Sequence, residues 1–171
     1  MGRAAAKRKD SRGAAYAQVS QFNYRNKTGH KMTDGHDLYQ ELRQFTGGDQ
    51  PYRHALVKSF NYTEGVRHFA RNAGGGAYWF LDILATEPRI AKHVQEMGFA
   101  LVDLKVGGTH AVLTVANDSG EEPFFKKTVS FTDCPEAPVT EGNPNGSWKF
   151  YIEQTMIGDK VVPICLLPSE R

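Results

Sequence analysis

The sequence predicts an α+β domain: an antiparallel β-meander of about five strands in the C-terminal half, with three to four N-terminal helices packed on one face. Two observations predict it. Apolar residues recur at helical spacing up to Met97 and alternate from Phe99 onward, and Gly- or Asn-rich turn signals cut the second half into short runs. A third observation sets the boundary. Residues 1–31 hold eight Lys or Arg against one acid, Asp10, for a net +7, whereas residues 32–171 carry thirteen bases and eighteen acids, for a net −5.

Residues 1–31 have few large apolar groups and no sustained period, so they bury too little surface to offset the entropy of ordering them. The expectation is a basic, disordered tail and a single domain over residues 32–171. Thr33 or Asp34 caps the first helix, whose stripe is Leu38, Leu42 and Phe45, and Gly47-Gly48 ends it. Thr63 reads as the next N-cap, with Glu64 suited to the positive helix end and Val66, Phe69, Ala70 and Ala73 as the buried stripe. After Gly74-Gly75-Gly76, a helix from about Ala77 to Thr86 is apolar nearly all round and is expected at the centre, with Trp79, Phe80, Leu81, Ile83 and Leu84 buried. Pro88 marks a break before a short helix over Ile90 to Met97. The predicted strands are Phe99 to Val106, Ala111 to Ala116, Phe124 to Phe131, Lys149 to Gln154 and Val161 to Leu167. The Pro-rich stretch Cys134 to Ser147 reads as an exposed loop suited to function.

Composition narrows the function classes. No apolar run approaches the ~20 residues of a bilayer-spanning helix, and no apolar segment follows the basic N-terminus as a secretory signal would require. Two cysteines, Cys134 and Cys165, are too few for a disulfide scaffold, which points to reduced thiols and a cytoplasmic chain. The six histidines make no His-x-x-x-His pair and the cysteines no Cys-x-x-Cys, so no metal and no cofactor is expected.

Four features carry candidate chemistry. A carboxylate at Asp82, inside the most apolar helix, needs donors, and Arg53, His54 and Arg67 are candidates. Asp82, His54 and Arg53 thus form the one group around which a small enzyme could be built, with a structural buried pair as the plainer account. The triple glycine before a helix N-terminus offers N–H groups to a phosphate but lacks the strand and the Lys-Ser/Thr of a P-loop, and reads as a turn. Cys134 has no local base and reads as a loop thiol. Finally, Arg3, Lys7, Arg8, Lys9 and Arg12 in the tail, and Lys126 and Lys127 beside Phe124, Phe125 and Phe131, are candidate contacts to a polyanion.

Several segments carry a resemblance: Glu41 to Gly47, Tyr52-Arg53-His54, Tyr62 to Val66, Ala73-Gly74, Ala77 to Asp82, Phe131 to Pro135, and the ending Leu166-Leu167-Pro168-Ser169-Glu170. In this order, over residues 38–170, they resemble a small uncharacterised family of bacterial proteins met on plasmids, in phages and in other mobile DNA. The chain departs from it in the basic tail, in Gly75-Gly76, and at Cys134, where such sequences carry a large apolar residue. The resemblance implies a setting and no activity: a non-enzymatic mobile-element accessory that binds a host protein, as an inhibitor of host defence would. The alternative from the residues themselves is a nucleic-acid-binding accessory acting through its tail. Neither needs a membrane.

Overall fold

The computed structural model describes residues 34–47 and 50–171. The tail expected to be disordered, with Arg3, Lys7, Arg8, Lys9 and Arg12, lies outside the described residues. Among the described residues four α-helices come before Gly98: α1 Gly35–Leu42, α2 Glu64–Asn72, α3 Tyr78–Thr86 and α4 Pro88–Met97. Seven strands, β1 Tyr52–Arg53, β2 Asn61–Tyr62, β3 Phe99–Gly107, β4 His110–Ala116, β5 Phe125–Val129, β6 Trp148–Ile157 and β7 Lys160–Leu166, form one sheet in the order β1-β2-β7-β6-β3-β4-β5. The chain is α+β, but the sheet is mixed and not a five-stranded antiparallel meander. β2 runs parallel to β7, and β6 returns beside β3 and not beside β5. Strands β1 and β2 are two residues each, too short to leave an alternating pattern in the sequence. The return of β6 is driven by burial: Trp148, Phe150 and Ile152 reach the helices from the centre of the sheet, which an edge beside β5 would not allow.

One face of the sheet is covered. Ala100, Val102, Leu104, Ala111, Leu113, Val115, Phe150 and Ile152 point to the helices and are buried. Phe69 of α2 and Phe80 of α3 pack their rings on Phe150 at 5.0 and 4.8 Å, Tyr39 of α1 meets Trp148, and Gln154 Nε2 donates to the Val94 carbonyl of α4.

Local chemistry explains the helix ends. Asp34 caps α1 by accepting from the His36 N–H at 2.8 Å. Glu87 caps α4, where Pro88 sits at the first helical position and starts the helix that it was expected only to precede. α1 stops at Leu42, so Phe45 reaches the core from the following turn, against the His68 ring. α3 is less central than its composition suggests. Tyr78, Asp82 and Thr86, four residues apart, form an exposed stripe, and Trp79 and Ile83 are only half-buried beside it. No described helix is long and apolar enough to cross a membrane.

The segment between β5 and β6 is not the open loop its prolines suggested. Thr132, Cys134, Ala137, Asn143 and Ser147 are buried, Asn143 Nδ2 donates to the Pro138 and Ser147 carbonyls, and the Trp148 indole donates to the Pro135 carbonyl at 2.8 Å. It is a strap that carries the chain from the edge strand back to the middle of the sheet.

Candidate functional site

The residues singled out around Asp82 divide between two places. His54 follows β1 and is buried. Its Nε2 lies 2.9 Å from Asp82 Oδ1, while its Nδ1 accepts the Val57 N–H at 3.1 Å. Since Nδ1 must be bare to accept, Nε2 carries the proton and donates to the carboxylate. Both ring nitrogens are thereby used, and the pair ties the β1–β2 hairpin to α3. Asp82 itself is half-exposed, its side chain retaining 52% of its accessible surface, so it is not the buried carboxylate expected of an all-apolar helix. Arg53 does not join them; it points to the opposite face of the sheet. Arg67 is taken by Glu64 at 3.5 Å and by the Tyr52 ring at 4.2 Å. We expect Asp82→Asn to cost less than about 1 kcal/mol in urea unfolding, because the pair is half in water. His54→Ala should cost about 1–3 kcal/mol, because it orphans the Val57 N–H.

The other conspicuous motifs also pair with one another. The N–H of Gly75 donates to Asp133 Oδ2 at 2.7 Å, so the glycine turn that might hold a phosphate already holds a carboxylate of the same chain. Gly74 turns there at φ +64, packed on the Asp133 carbonyl. At the start of α2, Glu170 accepts from the Thr63 hydroxyl, from the Gly65 N–H and from the Leu167 N–H. Thr63 occupies the N-cap position but donates instead of accepting. The capping group comes from the far end of the chain. His68 pairs with Glu41 at 2.8 Å.

Neither cysteine is a nucleophile in this setting. Burial pushes the Cys134 thiol up to about 12, with Asp133 adding to it, and burial raises Cys165 as well. Among the described residues, no three His, Cys, Asp or Glu side chains converge as a metal would require.

What remains is the sheet face that none of the four described α-helices covers. Register places on it Arg53, Lys105, Lys126, Lys149 and Lys160 with Asp103 and Glu153, and Asp118 of the β4–β5 turn borders it beside Phe99 and Tyr151. Both strand carboxylates are engaged: Asp103 accepts from Ser147 Oγ at 2.8 Å, and Glu153 pairs with Arg171 Nε at 2.6 Å. Lys126 and Lys127, adjacent in sequence, therefore part company. Lys126 lies on this face opposite Thr114, and Lys127 on the helix side opposite Leu113. The net −5 of the body is unevenly spread: Asp34, Glu41, Glu64, Asp82, Glu87, Asp133, Glu136 and Glu170 bond to groups of the helices, turns and strap, away from the strands that carry this row of cations.

The densest cations border a concavity of about 320 Å³ lined by Arg53, Lys58, Ser59, Asn61, Ile157, Lys160 and Val162. None of its three cations pairs with a described carboxylate. Three positive charges border this hollow, whose floor includes the apolar Ile157 and Val162, and together they form a receptor for an anion. Toward the centre of the face, the Phe99 and Tyr151 rings lie 5.2 Å apart with the Arg171 guanidinium over both. Of the hollow, the sequence singled out Arg53 alone, and for another reason. Register puts Lys160, Phe99 and Tyr151 on this face, while Lys58 comes from the β1–β2 loop and Arg171 from the C-terminal turn; the odd-numbered series Phe99-Leu101-Asp103-Lys105 and Lys149-Tyr151-Glu153 holds a legible outward row.

The model of a family of unknown function, DUF6876, matches residues 36–171. The chain belongs to the DUF6876 family. No curated protein and no solved structure matches it. The DUF6876 match begins inside α1 and runs through Glu170, so it takes in both halves of each pair just described: His54 with Asp82, Gly75 with Asp133, and Thr63 and Gly65 with Glu170.

Proposed function

We propose that this DUF6876 chain is a nucleic-acid-binding accessory protein whose contact surface is the uncovered sheet face, with the basic tail as a second, less specific contact. The observation that carries it is the convergence of Arg53, Lys58 and Lys160 on one hollow of a body whose net charge is negative. Such a body repels phosphates at long range unless its cations are gathered, and here they are gathered on one side. The tail adds its own positive charge, eight Lys or Arg against one acid over residues 1–31. A setting on mobile DNA, which the resemblance implies, suits this reading. A host-protein inhibitor working through an acidic face draws less from the geometry, because the carboxylates are spread among caps and turns.

The test is a salt titration of oligonucleotide binding by the full chain, with all variants kept full length. Arg53→Gln, Lys58→Gln and Lys160→Gln together should flatten the plot of log K against log salt by about 2 for single strands, at roughly 0.7 per phosphate contact. Neutralising Arg3, Lys7, Arg8, Lys9 and Arg12 should flatten it further. An unchanged slope in the hollow variant, with its melting curve intact, would move the site off the sheet. Absence of salt-sensitive binding in the parent chain would end the nucleic-acid reading.

A further inference from the structure

Building on the nucleic-acid reading, we infer that the face takes single strands, with phosphates in the Arg53–Lys58–Lys160 hollow and bases stacked on Phe99 and Tyr151. The register carries this. Arg53, Asn61, Ile164, Glu153 and Phe99 are cross-strand neighbours in one row over five adjacent strands. At 4.7–4.9 Å per strand, the row spans about 19 Å from guanidinium strand to ring strand. A chain anchored in the hollow therefore crosses β7 and β6 to reach the rings. The acid on that path, Glu153, is already held by Arg171.

The rings are placed for stacking and are not part of the core. Both are half-buried on the face without helices, on the two central strands β3 and β6. Arg171 lies 5.0 Å from the Phe99 centroid and 5.6 Å from that of Tyr151, so one flat, delocalised group already lies over the pair, and a base joins this platform beside the guanidinium, which keeps its hold on Glu153. An unpaired base is another such group. In a duplex the bases are stacked on one another and offer phosphates and base edges but no free faces, so the rings gain no stacking partner. Beyond Tyr151 a cleft of about 340 Å³, bordered by Tyr39, Trp148, Lys149 and Arg43, continues the same mix of rings and cations.

The experiment measures anisotropy of a labelled oligothymidine and of a fully paired hairpin of equal phosphate count, at one low ionic strength, with the full chain. The single strand should bind more tightly. Phe99→Leu and Tyr151→Leu should each weaken it about 5- to 140-fold, the range for loss of one stacked base, and leave the hairpin within about twofold. Tyr151→Phe should bind as the parent does, since stacking uses the ring and not the hydroxyl. Photocrosslinking of bromouracil-substituted single strand to the parent chain, which depends on no variant's folding, should map to Phe99 or Tyr151. Equal losses on both probes, equal affinity for both in the parent, a Tyr151→Phe loss matching that of Tyr151→Leu, or crosslinks confined to residues 1–31 would each overturn the stacking platform while leaving nucleic-acid binding intact. If neither probe binds, the broader reading fails and takes this one with it.

Discussion

Replacing Phe80 by alanine is expected to remove about 3–5 kcal/mol of folding stability. The ring is fully buried on the inner side of α3. It stacks on Phe150 with centroids 4.8 Å apart and meets Phe69 edge-on at 5.4 Å, so it joins two helices to the central strand β6. Alanine forfeits the transfer energy of the ring and leaves a cavity whose walls, Phe69, Phe150 and the sheet, are held from several elements and can collapse only partly. For a domain with an ordinary reserve of about 5–15 kcal/mol, the loss is a large share. It should lower the melting temperature by about 2–4 °C per kcal/mol. Urea unfolding with an unchanged m-value would measure it. A cost below about 1 kcal/mol would mean that Phe80 is not at the junction of helices and sheet.

Replacing Glu170 by alanine is expected to cost about 2–4 kcal/mol, more than any other carboxylate among the described residues. It serves three donors at once: the hydroxyl of buried Thr63, the first-turn Gly65 N–H at 2.9 Å and the Leu167 N–H at 2.9 Å. Without it α2 loses an acceptor at its positive end, and two or three half-buried donors go unmet, each worth about 1–3 kcal/mol before water reaches them. Glu170→Gln keeps the shape and one oxygen, and should retain roughly half of the effect. Glu64→Gln is the telling control. Glu64 is the acid that proximity in sequence assigns to this helix end, yet its contact is a half-exposed pair with Arg67, worth less than about 1 kcal/mol. Equal losses at Glu64 and Glu170 in urea unfolding would show that the cap from the far end of the chain is not what holds α2.

These two residues mark the boundary between local and tertiary information. Phe80 was legible because a run of large apolar residues at helical spacing can only be buried. The helices, five of the strands and the turns at Gly74–Gly76, Gly108 and Gly158 follow from the same kind of local pattern. Glu170 was not legible as a cap, since its partners lie more than a hundred residues away in the chain. The same holds for Asp133 under the glycine turn. Asp82 was recognised as a residue in need of a donor, and His54 was among those named. That Asp82 is half-exposed depends on which side of α3 meets α2 and the sheet, which spacing alone does not fix when nearly every position is apolar.

The sequence by itself determined the α+β class, the order of helices and strands, most of the core, and the split between a basic tail and an acidic remainder. Each of these depends on neighbours within a few turns or strand residues, or on composition alone. Tertiary structure decided the mixed sheet with its parallel β2–β7 pair, the return of β6 to β3 and the strap that permits it. It also decided the separation of Lys126 from Lys127 and the gathering of Arg53, Lys58 and Lys160. Shifting a strand by a single residue would exchange its two faces, so which cations share a surface is a property of register across strands distant in sequence. Net charge counts ionised groups wherever they lie, whereas only the fold determines which of them share a surface.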